Sequence, residues 1–508
     1  MSRLGFFACV LLAAGPADGA GFKGQTLTVP GNVGWLTHGD LDGDGAEDLV
    51  LSYVRGGGPG AQRNLAIFFR KDGGWGLRPD LTYRAPDVAA VFDLGDALPS
   101  PGLELLYWTP TGVYAQDFVN RKPTAPKALV KVETLVGPAE RDELVQWDFM
   151  RVEPGQEKAW LLLLPDPRRV HVFRKRDQAW TEVATPIVDS PHLYDAESEV
   201  FRPSDDGGGY GNYAMRVLTL VPQLRLVDQT GDGRPDLVAH FEDQVEVHVG
   251  LPDGGFEEKA RHRRFFALRS EEEHRTGEAF VQSYVRDFDG DGIADFCVRK
   301  NAGGLVQATS SILFFRGLRG GGFTETPVQV VESKGVASVV DFRDVDGDGR
   351  LELLTPRVRL SILAFIRAFT SRSLSVEVDI LPGLGRSQTA FFADSPRQTL
   401  EFTLGLSFEG GFGVEGTPPL FGHDFDQDGH LDVLMSDGAE RMVLHRGLAG
   451  EAEPFQKDGF IQLSGATSPT TLVLAPRVGA KPEVVVFYVG RKAQADELLW
   501  FRNDLTED

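Results

Sequence analysis

The stretch His38–Leu51 reads HGDLDGDGAEDLVL and brings four aspartates together, at positions 40, 42, 44 and 48. The same spacing returns four more times, as DQTGDGRPD, DFDGDGIAD, DVDGDGRLE and DFDQDGHLD, which begin at residues 228, 287, 344 and 424. Each copy has an oxygen-bearing side chain at its positions 1, 3 and 5, glycine at position 6 and an acid at position 9. Recurrence of one local pattern indicates a repeated structural unit.

The spacing indicates a site for a hard cation. Alternating oxygen ligands with glycine at position 6 let a short loop wrap around Ca²⁺, and the glycine can adopt the positive φ that such a turn needs. Without a cation the carboxylates would repel one another at close range. An all-oxygen ligand set favours calcium over zinc or copper. The alternative, five acidic surface turns that bind nothing, leaves the position-specific spacing unexplained.

The loops are not EF-hands. An EF-hand requires a bidentate glutamate at position 12 of the loop and a helix after it. Position 12 is Leu, Ala, Val, Thr or Met in the five copies. Each copy instead runs into a short apolar segment rich in β-formers, such as DLVLSYV after the first loop. The sequence therefore predicts a calcium loop that leads into a β-strand.

The repeat predicts an all-β fold. Position-9 acids fall at 48, 236, 295, 352 and 432. Degenerate copies of the unit, which lack the full acidic loop, end in Glu104, Glu157 and Glu483. Each unit holds four short apolar segments separated by glycine-containing turns, which is typical of a β-propeller blade. We expect eight blades, with seven as the alternative. The last unit is one strand short, so the segment Gln25–Gly31 is predicted to complete it and close the ring.

The chain is predicted to be exported. Residues 1–20 combine Arg3, an apolar stretch and a small-residue end, which is typical of a secretory signal peptide. No later apolar run is long enough to span a bilayer, so residues 21–508 are expected to form one propeller domain that is secreted, periplasmic or at the cell surface. The net charge of −22 argues against a nucleic-acid partner. The oligomeric state stays open.

The segments GDLDGDGAEDLVL and DFDGDGIADFCV resemble the FG-GAP and VCBS repeats of integrin-α-like, calcium-binding β-propellers. The literal Phe-Gly and Gly-Ala-Pro elements of that family are poorly kept. The resemblance implies a calcium ion in each loop, about five in all, bound by side chains at positions 1, 3, 5 and 9 and by the carbonyl of position 7. Carried over position by position, the predicted ligands are Asp40, Asp42, Asp44, Ala46 and Asp48; Asp228, Thr230, Asp232, Arg234 and Asp236; Asp287, Asp289, Asp291, Ile293 and Asp295; Asp344, Asp346, Asp348, Arg350 and Glu352; and Asp424, Asp426, Asp428, His430 and Asp432. Thr230 replaces an acid, so the second site is predicted to be the weakest.

No catalytic residue is predicted, since the chain has no HExxH, Gly-x-Ser-x-Gly or phosphate-cradling motif. The family is mostly binding and adhesion scaffolds, which implies a protein or glycan ligand. A polysaccharide lyase on the same scaffold and a structural surface component without a ligand pocket are the alternatives. Insertions near 186–215 and 356–419 are the candidate ligand-binding segments. In the second, RLSILAFIRAFTSR is predicted to form a helix that packs on a blade, plugs the channel or docks a partner.

Overall fold

The computed structural model describes residues 21–505. The parts of that range that it does not describe are 57–60, 72–73, 137–143, 153–159, 178, 191, 199–212, 271–272, 274–278, 303–308, 335, 338–339, 359–369, 387–388, 408–412, 417, 439–440, 450–452, 465–469, 475–479 and 488–495. The predicted signal peptide lies outside the described residues. Within the described residues, no helix is long and apolar enough to cross a bilayer.

The chain folds into successive four-stranded antiparallel sheets, which we number as units in chain order. Unit 1 contains β2 (Asn32–Gly39), β3 (Asp48–Arg55), β4 (Gln62–Phe68) and β5 (Leu81–Arg84). Unit 2 contains β6 (Val91–Gly95), β7 (Glu104–Thr109), β8 (Gly112–Gln116) and β11 (Lys127–Lys131). Unit 3 contains β13 (Met150–Val152), β14 (Trp160–Pro165), β15 (Val170–Arg176) and β16 (Ala179–Ala184). Unit 4 contains β19 (Gln223–Val227), β20 (Asp236–His240), β21 (Gln244–His248) and β22 (His262–Phe265).

The second half of the chain continues in the same way. Unit 5 contains β23 (Phe280–Arg286), β24 (Asp295–Ala302), β25 (Thr309–Phe315) and β28 (Gln329–Lys334). Unit 6 contains β30 (Asp341–Arg343), β31 (Glu352–Val358), β32 (Ser373–Leu381) and β33 (Gln398–Ser407). Unit 7 contains β35 (Leu420–His423), β36 (Asp432–Gly438), β37 (Arg441–His445) and β38 (Ile461–Ser464). Unit 8 contains β39 (Thr470–Leu474), β40 (Glu483–Phe487), β41 (Glu497–Asn503) and β1 (Phe22–Thr28).

Further strands lie outside these sets of four, some of them in separate two-stranded sheets. They are β9 (Phe118–Val119), β10 (Lys122–Pro123), β12 (Val145–Gln146), β17 (His192–Ser198), β18 (Tyr213–Thr219), β26 (Gly317–Leu318), β27 (Gly322–Phe323), β29 (Val336–Ala337) and β34 (Gly413–Glu415). Units 6 and 7 are joined, because β33 pairs in parallel with β36 through Thr403 and Leu404. Units 6 and 7 therefore belong to one continuous sheet. The number of blades stays a prediction.

The middle strands of each sheet are apolar because they are covered on both faces. All five residues of β20, DLVAH, are buried, whereas the outer strand β22 alternates between half-buried and exposed residues. Each hydrophobic cluster is shared by two consecutive units. For example, Val50 and Ile67 of unit 1 pack with Phe92 and Tyr107 of unit 2. The expected all-β propeller is confirmed by this face-to-face packing of successive sheets.

The N-terminal strand closes the ring, as the sequence predicted. Strand β1 pairs antiparallel with β41, from Phe22 opposite Asn503 to Thr28 opposite Glu497. The strand begins three residues earlier than the predicted segment Gln25–Gly31, and it ends before Pro30, which lacks the N–H that a ladder needs. Its Leu27 enters the cluster between units 8 and 1. Phe22 enters the cluster between units 7 and 8.

The predicted insertions are only partly within the described residues. In the first, β17 and β18 form a separate two-stranded hairpin, while 199–212 are not described. In the second, β32 and β33 pair with each other and β32 pairs with β31, so both belong to the sheet of unit 6. Of the predicted helix, only its end near Ser371 is described, as helical.

Candidate metal centres

All five acidic loops connect the first strand of a unit to its second strand. The position-1 aspartate directly follows the first strand, and the position-9 acid is the first residue of the second strand, as Asp40 and Asp48 show between β2 and β3. The loops belong to units 1, 4, 5, 6 and 7. The sequence prediction of a loop that leads into a β-strand is therefore confirmed for every copy.

The position-1 carboxylate organises the loop. In unit 1, Asp40 Oδ1 accepts hydrogen bonds from the N–H of Gly43 at 2.7 Å and of Asp44 at 3.1 Å, and Oδ2 accepts one from the N–H of Gly45 at 2.8 Å. Gly43 and Gly45 have φ of 74° and 82°, which glycine tolerates and other residues avoid. The backbone thus folds around the carboxylate, which keeps the side chains at positions 1, 3 and 5 on the inner side of the turn.

Four of the loops bring three carboxylates together. In each of them, one oxygen of every member lies within 4.8 Å of the others. The groups are Asp40, Asp42 and Asp48; Asp287, Asp289 and Asp291; Asp344, Asp346 and Asp348; and Asp424, Asp426 and Asp432. Among the described residues, the loop at 228–236 gives no such group, in keeping with Thr230 at its position 3. The carbonyls of position 7 stay predicted ligands.

The position-9 acid has a second role that the sequence did not reveal. Asp48 is buried, and its two oxygens accept hydrogen bonds from the N–H of Leu41 at 3.0 Å and of Arg70 at 2.8 Å. Asp295 accepts from Phe288 and Gly317, and Asp432 from Phe425 and Gly447. In each pair the first donor is position 2 of the loop and the second follows the third strand. The acid therefore ties the loop to the third strand of its sheet.

Burial changes the acidity of these tying carboxyls. It raises the pKa of Asp48 to about 7 and that of Asp295 to about 8, although the backbone N–H donors oppose the shift. The same cause raises the pKa of Glu352 and of Asp432 to about 7. Neighbouring loop carboxylates raise these values further, because like charges disfavour ionisation. A cation in the loop would act in the opposite direction.

An arginine neutralises one oxygen of each position-3 aspartate. Asp42 Oδ2 lies 2.6 Å from Arg121 Nε, Asp289 Oδ2 lies 3.3 Å from Arg316 Nη2, and Asp426 Oδ2 lies 2.7 Å from Arg446 Nε. Asp346 pairs with Arg397 in the same way. In Asp42, the other oxygen accepts the N–H of Asp44. The arginines fix the orientation of position 3, and sequence reasoning missed them.

The loops fit a hard divalent cation. Every candidate ligand atom in the four groups is a carboxylate oxygen, which suits Ca²⁺ or Mg²⁺ rather than a soft metal. Asp344 and Asp424 each have a buried Oδ1 that makes no hydrogen bond within the described part of the chain. A buried anionic oxygen without a donor is costly, and a bound cation would compensate for it. Positions 1 and 3 belong to all four groups, joined by position 5 in units 5 and 6 and by position 9 in units 1 and 7.

Two of the degenerate units keep a buried, hydrogen-bonded acid at position 9 although they lack the acidic loop. Glu104 is buried and accepts hydrogen bonds from the N–H of Ala97 at 2.7 Å and of Leu98 at 3.0 Å, and from Ser100 Oγ at 2.8 Å. Glu483 pairs with the guanidinium of Arg70 at 2.8 and 3.0 Å. Protein donors thus surround the acid in these units. Glu157 lies outside the described residues.

Comparison with known proteins identifies the repeat. Residues 287–355 match the family model described as FG-GAP-like repeat, a span that contains the loops of units 5 and 6. The resemblance predicted from the sequence is thereby confirmed for this part of the chain. No curated protein matches the chain in sequence.

Several solved structures align with most of the chain. An Agrocybe aegerita lectin specific for non-reducing terminal N-acetylglucosamine is 15% identical, with a TM-score of 0.36, over 95% of this chain and 100% of that one. Sqt1 from Chaetomium thermophilum is 12% identical, with a TM-score of 0.45, over 94% of this chain and 97% of that one. The Dos1 propeller is 9% identical, with a TM-score of 0.37, over 94% of both chains.

Proposed function

We propose that this FG-GAP-repeat β-propeller is an extracellular scaffold that calcium stabilises and that binds a protein or a glycan. The observation that carries the proposal is the set of four loops, each with three carboxylate oxygens within 4.8 Å of one another. Calcium is favoured over magnesium because it accepts more oxygen ligands in flexible geometry, whereas Mg²⁺ usually keeps several waters. Extracellular sites of this type bind calcium with a Kd of ~10⁻⁴–10⁻³ M.

Calcium would act through the connections of the loop. The first strand ends at position 1, the second begins at position 9, and the position-9 acid holds the end of the third strand. A cation bound by positions 1 and 3, together with position 5 or position 9, would hold the loop between the first and second strands, and the position-9 acid connects that loop to the third strand. In the absence of the ion, the carboxylates repel one another, and Arg316 offsets part of the charge of Asp289.

Ligand binding is proposed for segments outside the four-stranded sheets. The β17–β18 hairpin pairs only with itself among the described strands, from His192 opposite Thr219 to Ser198 opposite Tyr213. Segments that the framework does not need are free to carry recognition. Secretion by the predicted signal segment 1–20 belongs to the same proposal, since calcium is plentiful outside cells.

The test combines ion counting with melting. Elemental analysis of the intact protein after equilibration in millimolar CaCl₂ should find four or five ions per chain. Chelator should lower the melting temperature, and added Ca²⁺ should restore it. Asp289→Asn should remove one ion, whereas Asp87→Asn, at a side chain that is 76% exposed, should remove none. An unchanged melting curve in excess chelator would refute the structural role of calcium.

The binding part of the proposal needs its own measurement. Replacement of residues 192–219 by a short Gly-Ser bridge should leave the calcium-dependent melting intact and abolish capture of ligand on glycan and cell-surface protein arrays. Retained capture by the shortened chain would place recognition elsewhere on the ring. Release of unsaturated, ultraviolet-absorbing products from acidic polysaccharides would replace the scaffold proposal by the lyase alternative.

A further inference from the structure

A row of basic side chains follows the first strands of five consecutive units. It consists of Arg151 on β13, Arg225 on β19, Arg286 on β23, Arg343 on β30 and His423 on β35. First strands of neighbouring units adjoin, as β2 does with β6 and β6 with β13. The row therefore lines the inner side of the ring, in a protein whose net charge is −22.

The charges of this row act on one another. The pKa of Arg286 lies below its usual value, first because of burial; Asp341 opposes the shift, and Arg343 and Arg225 add to it. Burial also lowers the pKa of His423, and the charge of Arg343 contributes. Arg343 Nε lies 3.0 Å from Asp341 Oδ2, and Arg286 Nη1 donates a hydrogen bond to the carbonyl of Phe342 at 2.8 Å, so these two cations already have partners.

Two members of the row, Arg151 and Arg225, line a cavity between units 3 and 4. The cavity has a volume of about 170 Å³, and its lining includes Arg151, Arg225, Gln223, Trp147 and Asp148. Such a volume is below the range of drug-sized pockets, and it suits a single polar group. The wall thus offers two guanidinium groups, a side-chain amide and an indole.

Arg225 is the cation of this cavity whose side chain has no partner among the described residues. Its side chain makes no hydrogen bond or ion pair with any residue that the structure describes. The nearby acid, Asp148, is already engaged, since its Oδ2 lies 3.2 Å from Arg151 Nη1 and its Oδ1 accepts a hydrogen bond from Gln146 at 2.7 Å. After burial, Arg151 lowers the pKa of Arg225 more than Asp148 raises it. The lining of the cavity holds two guanidinium groups and one carboxylate, so positive charge exceeds negative charge there.

We propose that this cavity binds an oxyanion group, with Arg225 as its main contact and Arg151 and Gln223 as secondary contacts. The planar guanidinium presents paired donors that match a carboxylate, sulfate or phosphate. The group can be a free small anion or the acidic group of a sugar in a glycan, whose ring would lie against Trp147. The second source rests on the proposed glycan-binding function, whereas the first does not.

Calorimetric titration of the calcium-loaded full chain tests the site. Sodium sulfate and D-glucuronate should bind, and neutral D-glucose should not. Arg225→Gln should weaken anion binding by about tenfold or more, since charged hydrogen bonds are lost. The matched control Arg84→Gln, at an exposed side chain on the outer strand of unit 1, should bind as the parent does. Tenfold tighter binding of glucuronate than of sulfate would identify an acidic glycan as the source, and equal binding would identify a free oxyanion. No binding of either anion, or equal binding by Arg225→Gln, would overturn the proposal.

Melting curves separate a ligand contact from a structural one. Without anion, Arg225→Gln should melt at the temperature of the parent or above it, because the substitution removes a cation that faces Arg151. Sulfate should raise the melting temperature of the parent and not that of the variant. A variant that melts well below the parent would mean that Arg225 supports the fold, which contradicts the proposal. Calcium-dependent melting is measured in the same experiment and reports on the scaffold independently.

Discussion

Strand β1 offers the sharpest test of ring closure, because its two buried side chains enter two different cores. Leu27 is fully buried between units 8 and 1, and Phe22 is 1% exposed between units 7 and 8. Replacing each by alanine leaves the backbone ladder with β41 in place and removes only packing. The pair of variants therefore measures how firmly the closing strand is docked on each of its faces.

The expected losses follow from core substitutions of the same kind. Leu27→Ala should lower the free energy of unfolding by about 2–5 kcal/mol, and Phe22→Ala by about 3–5 kcal/mol. The two positions are five residues apart on an extended strand, about 16 Å, so the double variant should lose the sum, about 5–10 kcal/mol. Lys23→Ala is the control, at an exposed side chain whose ion pair with Asp504 should contribute less than about 1 kcal/mol.

Urea unfolding followed by tryptophan fluorescence is a suitable assay. Trp75 and Trp500 lie in the same cluster as Leu27, with ring centroids 4.9 Å apart. Their emission therefore reports on the seam between units 8 and 1. If both single variants unfold within 1 kcal/mol of the parent, β1 is not part of the folded ring, and the closure described above is wrong.

Three further outcomes follow from the geometry. Gly45→Ala should cost about 1–2 kcal/mol in urea unfolding, because φ is +82° there while the space around an added Cβ is empty; an unchanged midpoint would contradict the loop conformation. Glu104→Gln should cost about 1–3 kcal/mol, equally with and without chelator, since its three partners are protein groups; a chelator-dependent cost would show that unit 2 binds metal. Burial, and next the charge of Arg225, lowers the pKa of His240 to about 3, so the folded state keeps it neutral. Its contribution to stability is complete above the unfolded pKa of about 6.5 and is lost as the pH falls towards 3. At pH 5 the loss should be about 2 kcal/mol, and His240→Asn should show a correspondingly flatter stability profile between pH 6.5 and 5; identical slopes would mean that the fold does not lower the pKa of His240.

The loops and the closing strand could be predicted because their signals are local. Nine consecutive residues fix each acidic loop, and the ladder partner of β1 follows from an incomplete last unit. The predicted strand was displaced by three residues, because apolar Phe22 pairs at the start of the strand whereas Pro30 cannot continue it. The boundary depended on contacts with β41 that no sequence window contains.

The partners of the loops could not be predicted, because they come from distant parts of the chain. Arg121 lies 79 residues from Asp42, and Arg397 lies 51 residues from Asp346. The sequence predicts position 9 only as a ligand, since the same carboxylate at the start of a strand can bind an ion or accept hydrogen bonds from backbone N–H groups. Only the fold shows that Asp48 also holds Arg70.

The pairing of β1 with β41 also determines how the ring would respond to force. The N-terminal end of β1 lies opposite the C-terminal end of β41, and the N–H of Asp504 donates to the carbonyl of Gly21 at 2.7 Å. Tension applied at residues 21 and 505 would therefore peel the two strands apart one hydrogen-bonded pair at a time, like a zipper. Tension between one of these residues and a point on the opposite side of the ring would act on many hydrogen-bonded pairs of the β1–β41 ladder at the same time. The direction of pull, more than the total stability, would decide whether the molecule opens at its seam.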